Sequence, residues 1–267
     1  ENGNGKIVAR GNFNYGTMTL ESGTIEACDG NGGYGVRNYA GTFEMNGGAV
    51  IASNEDGDDR VSGNYDATPI RVDEGATATI TNGTITNICN YTSAIENHGT
   101  TTIDGGSFTS VHSTVTNYGT MTIKGNATTI KCEGKYDNAH PIYANGEASV
   151  TTIENGNIIG NDKAFCYYVA VKDNSTVYIS GGTFTNGQAA FTGEGTIVVT
   201  GGQFDKDPSA RVADGYKAEE ANGVWTVTYD PYHNFEKIAD GLYKDTNNAY
   251  VVANAEGLAA LNTKMAD

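Results

Sequence analysis

Three groups of side chains combine types and spacings that could do chemistry. The first gathers His112, Lys131, Glu133, Lys135, Asp137, His140, Asp162 and Lys163. An acid, a base and a cation brought near one another could perform general acid–base work on a polyuronide. The second is the acidic run Glu55, Asp56, Gly57, Asp58, Asp59, Arg60. Aspartates alternating with glycine can wrap a hard cation such as calcium, which wants about six to eight oxygens on a flexible loop, and Asp56, Asp58 and Asp59 would be its ligands. Arg60 and Val61 stand where an EF-hand loop needs further ligands, so a solvated acidic loop is the plainer reading, and no other cofactor is implied. The third group is Tyr15, Tyr39, His98 and Tyr118, with Asp73 and Asn145 at equivalent places. Aromatics in line along a groove would take sugar rings, and the plainer alternative is that they cover the corner of a solenoid. Arg37, Arg71 and Glu96 share one outward position and read as a surface charge ladder of little energetic weight.

What positions these residues is a repeat. The segments Thr17–Ile25, Thr77–Ile85, Thr101–Phe108, Thr176–Phe184 and Thr196–Phe204 are variants of one phrase: strand, glycine-containing bend, strand. Its first apolar anchor falls at Leu20, Met45, Ile80, Ile103, Ile123, Ile153, Ile179 and Val199. Its second falls at Ile25, Val50, Ile85, Phe108, Ile130, Ile158, Phe184 and Phe204. A third, at Val36, Ile70, Ile95, Val115, Ile142, Val169 and Phe191, precedes the next first anchor by 8 to 11 residues. Two arcs are nearly constant, and the third, between second and third anchors, absorbs the variation. Three short strands and three bends per turn describe a parallel β-helix of about eight coils, roughly 40 Å long at ~4.8 Å per coil. Parallel crossovers make it right-handed, and insertions gather on one edge, where binding or catalysis would sit. The recurring Asn14, Asn38, Asn97 and Asn117, ahead of Gly16, Gly41, Gly99 and Gly119, suit a bend that uses left-handed backbone or an asparagine amide bonded to the next coil.

These coils resemble the pectin-lyase-like right-handed β-helices, and in particular the repeat-built, adhesin-like surface proteins of gut anaerobic bacteria. The closing run Gly201–Ser209, followed by Val212–Ala218 and Val224–Val227, is similar to the way such helices end. The resemblance covers about residues 10 to 229. It implies architecture more than activity, because one fold hosts lyases, hydrolases, tailspikes and adhesins. Pectate-lyase-like sites want a calcium cage with a catalytic Arg or Lys. Polygalacturonase-like sites want clustered Asp with His-Gly and Arg-x-Lys. Neither pattern occurs here.

Composition agrees with an all-β chain. Gly, Thr and Asn number 36, 33 and 28 of 267 residues, and only four Leu occur, three of them beyond position 240. That alphabet fills strands and bends and starves helices. A net charge of −16 argues against nucleic acid and anionic membrane surfaces as partners. No run approaches the roughly eighteen apolar residues of a membrane span. Cys28, Cys89, Cys132 and Cys166 lack metal-ligand spacing and read as buried thiols.

The organisation expected is a β-helix over 1–204, a closing strand or cap over 205–229, and a strand-plus-helix segment over 230–267 that caps the rod or opens a following module. The thin front strand at Lys6–Arg10 suggests further chain upstream. The function expected is a non-enzymatic, adhesin-like, glycan-binding or structural module of an exported bacterial protein. It would sit outside the cell or on its surface, meet glycans or a host surface, and act as a monomer within a longer chain. The alternative is a polysaccharide lyase or glycoside hydrolase with its site at the loop edge.

Overall fold

A computed structural model of the chain describes residues 5–9, 11–28, 33–53, 67–89, 91–134, 139–161, 166–172 and 174–266. The chain winds as a right-handed parallel β-helix of eight coils with a C-terminal extension. Strands enter three sheets in strict rotation, starting with Lys6–Ala9, Gly11–Asn14 and Thr17–Leu20 in the first, second and third sheet. Most strands are three to five residues long and bury alternate side chains, so none is stable until a neighbouring coil stacks on it.

The register is the one the apolar anchors require. In the third sheet Met45 pairs with Ile80, Ile80 with Ile103, and Ile103 with Ile123. In the first sheet Val50, Ile85, Phe108 and Ile130 stack in order, and in the second Ile70, Ile95, Val115 and Ile142. All of these side chains are sealed from solvent. Toward the C-terminal end the column turns aromatic, with Phe184 and Phe204 stacked at 4.5 Å.

The bends depart from expectation in one respect. Gly16, Gly41, Gly99 and Gly119 do not adopt left-handed backbone. Gly41, Gly99 and Gly119 are required by close approach, since a Cβ on Gly41 would lie 1.9 Å from the Gly16 carbonyl oxygen one coil away, whereas Gly16 itself faces open space. Left-handed glycines recur at the corner between the third and first sheets, as at Gly106 with φ of 96°, and Gly75, Gly146 and Gly193 adopt positive φ at the second-to-third corner. The asparagine amides do bridge coils. Asn14 donates to Asn38 Oδ1 at 2.9 Å and Asn97 to Asn117 Oδ1 at 2.7 Å, with Val72 interrupting the ladder between them.

At the C-terminal end Val224–Tyr229 turns antiparallel onto Gln203–Phe204 and pairs with Tyr216–Ala221, placing Val227 in the core and Trp225 against it. Reversing strand direction ends the parallel ladder. Beyond lie three antiparallel strands, Glu236–Ala239, Leu242–Lys244 and Tyr250–Val252, where a single strand was expected, and the helix Ala255–Ala266. The helix approaches this small sheet at Gly257, whose Cβ would meet the Gly241 carbonyl, while Leu258 and Met265 stay exposed in spite of their helical spacing. Among the described residues no helix is long and apolar enough to cross a membrane.

Candidate functional site

The outer face of the second sheet collects most of the chemistry. Because its strands stack in register, the position just after each strand forms a column: Tyr15, Tyr39, Asp73, His98, Tyr118, Asn145, Lys172 and Glu194. From Tyr39 to Lys172 the backbone N–H groups at these positions donate to the preceding coil, as Tyr118 does to Asn97 at 2.7 Å, which locks the column's spacing. Tyr15 and Tyr39 meet at 5.1 Å with tilted rings, and His98 and Tyr118 stack nearly parallel at 4.4 Å. The expected aromatic line therefore exists as two pairs, separated by Asp73.

Asp73 is also the reason Arg37, Arg71 and Glu96 form more than a row of neighbouring charges. Its carboxylate accepts from Arg37 Nε at 2.6 Å and from Arg71 Nε at 2.7 Å. Arg71 then donates to Glu96 Oε1 at 2.7 Å, which His98 Nε2 also meets at 2.7 Å. The Arg37 guanidinium lies over the rings of Tyr34 and Tyr39, 5.2 and 5.3 Å from their centroids. Burial opposes the charge on Asp73, but hydrogen bonds from Arg71 and Arg37 outweigh it and hold the carboxyl below its usual range. The network ties the two aromatic pairs into one fixed surface.

Further along, the outward position inside the strands reads Glu96, Thr116, Tyr143, Ala170, Thr192. After Tyr143 the surface drops by the height of a ring, leaving a cleft of about 460 Å³. His112 and His140 wall it on the loop side, and Lys172 and Glu194 on the bend side. His140 is buried and accepts the Tyr167 N–H at Nδ1, 3.3 Å away. Burial foremost, with His112 beside it, pulls its pKa down to about 4, so the imidazole is neutral at physiological pH.

The acid–base cluster read from the sequence is divided. His112 and His140 share the cleft, whereas Lys131 lies at an exposed position on the first sheet, 2.7 Å from Glu133. Lys135, Asp137, Asp162 and Lys163 lie outside the described residues, as do Asp56, Asp58 and Asp59 of the candidate calcium loop. Among the described residues no three His, Cys, Asp or Glu side chains are grouped to hold a metal ion. Sequence reasoning missed Tyr143, Lys172 and Glu194, although extending the column by the repeat length from Asn145 would have reached the last two.

No protein-family model, no curated protein and no solved structure matches the chain.

Proposed function

We propose that this chain is a non-enzymatic, adhesin-like binding module of an exported bacterial surface protein, and that it presents the outer face of the second sheet to glycans. The observation that carries this reading is the column of paired aromatics, Tyr15 with Tyr39 and His98 with Tyr118, held in fixed register by the coils and by the Asp73 network. Sugar rings stack on flat faces that are already ordered, because little conformational entropy is then lost on binding. The half-buried Tyr143 extends the aromatic surface into the cleft, where Lys172 and Glu194 offer a donor and an acceptor for hydroxyl groups. A net charge of −16 disfavours nucleic acid and anionic lipid as competing partners.

A second reading, a lyase or hydrolase acting in the cleft, draws on His112 and His140 sharing it with Lys172 and Glu194. A glycan array carrying polyuronides and host mucin sugars, in calcium or in chelator, separates the readings when scored at once and again after long incubation. Stable binding is the expected result. Signal that decays on particular glycans identifies cleavage, and silence on every glycan leaves a rigid spacer.

A further inference from the structure

We infer that Cys132 and Cys166 form a disulfide that clasps two successive coils directly behind the cleft wall. Cys132 ends the strand Thr129–Cys132, and Cys166 lies one coil further on, just ahead of the strand Tyr167–Val171. The two residues pack together with Ala139 in a small buried cluster of their own, apart from the main apolar column. Asn161 ties both sulfurs: its backbone N–H lies 3.4 Å from Cys166 Sγ and its Nδ2 3.8 Å from Cys132 Sγ. Gly134 leaves room for that side chain, since a Cβ there would lie 1.7 Å from Asn161 Nδ2.

The surroundings of the pair belong to the cleft. The Cys132 sulfur lies 3.3 Å from the His112 carbonyl oxygen, Ala139 precedes His140, and Cys166 precedes Tyr167, whose N–H holds His140. A covalent bond here would fix the coil carrying His140 to the next one, whatever the cleft binds. The thiols are also unequal. Cys166 is the more acidic, because Cys132 and the Asn161 N–H both donate to its sulfur. Cys132 is pushed up by the same contact and by burial.

With Cys166 reacting first, its thiolate attacks a small-molecule disulfide such as oxidised glutathione, releasing one glutathione thiol and leaving a mixed disulfide. Cys132 then attacks the Cys166 sulfur of that bond and expels the second glutathione thiol. Two protein thiols are oxidised, one glutathione disulfide is reduced, and both protons leave on glutathione. Because Cys132 is fully buried and Cys166 only 2% exposed, the bond forms as the coils close during folding.

The test refolds the full chain from denaturant with reduced and oxidised glutathione, then denatures it, alkylates it with N-ethylmaleimide, and maps the peptides by mass. The expected result is two of the four cysteines protected, with a peptide linking Cys132 to Cys166, and a melting temperature raised on the order of 5 °C over the dithiothreitol-treated protein. Cys132→Ser and Cys166→Ser, each made alone, should melt as the reduced protein does and show no shift on oxidation. Four alkylated cysteines, glutathione retained on Cys166, or a bond to Cys28 or Cys89 instead would overturn the inference. The peptide map decides even if a serine variant fails to fold.

Discussion

Single residues in this molecule are made indispensable by what the neighbouring coil does with them. Asn97 is fully buried; its amide donates to Asn117 Oδ1 and the Thr120 carbonyl, and its oxygen accepts from Thr101 at 2.8 Å. Asn97→Ala should cost about 2 kcal/mol by leaving those groups unpaired, read as a lower denaturation midpoint. His140 makes stability depend on pH. Its folded pKa of about 4 lies below the ordinary histidine value of 6.5, so the unfolded chain binds the extra proton between those values, and stability falls as pH drops through that window. The loss by pH 4 should reach about 3 kcal/mol. Urea titrations from pH 7.5 to 4 would check this, and His140→Asn should flatten the curve in that range. Asp73 acts in the same direction but at lower pH, since its pKa is depressed and its contribution disappears as it protonates. A stability profile flat from pH 7 to 4 would contradict the burial and the contacts of His140.

At the scale of the element, strands this short have meaning only as rungs of a ladder. Ile103 sits mid-column, paired with Ile80 and Ile123 and sealed from solvent, so Ile103→Asp should abolish folding and Ile103→Ala should cost on the order of 3 kcal/mol. A soluble Ile103→Asp variant with unchanged melting would contradict the register. Gly41→Val should be nearly as severe, because the Gly16 carbonyl already occupies the space of a Cβ. The ladder was legible in the sequence because one periodicity, the recurrence of an apolar anchor on each coil, sets both burial and register. The glycine corners were legible by position but not by reason, since close approach and left-handed backbone select the same residue. The bond from Asp73 to both Arg37 and Arg71 was not legible, because it joins the columns of two different positions and depends on how side chains lean. The small C-terminal sheet lacks a repeat to amplify its pattern, and only the stretch Tyr250–Val252 was apolar enough to read as a strand.

Taken whole, the molecule is a stack of coils that repeats one surface position along its length. The molecule carries around Asp56 an acidic stretch, outside the described residues, that its sequence reads as solvated. Its melting temperature should therefore coincide in calcium and in chelator, and a large rise with calcium would assign that loop a ligand role. The face of the second sheet concentrates paired aromatics, an ion network and a cleft, whereas the outer side of the third sheet carries Tyr178, 46% exposed and outside the aromatic column. That contrast supplies the control for the most direct test. The affinity of the wild-type chain for immobilised mucin O-glycans and for polygalacturonate would be measured beside Tyr118→Ala and Tyr178→Ala. The account predicts that Tyr118→Ala weakens binding about tenfold, the loss of one stacking platform, while Tyr178→Ala binds as wild type does. Equal loss in both variants, or no binding by the wild-type chain, would contradict it.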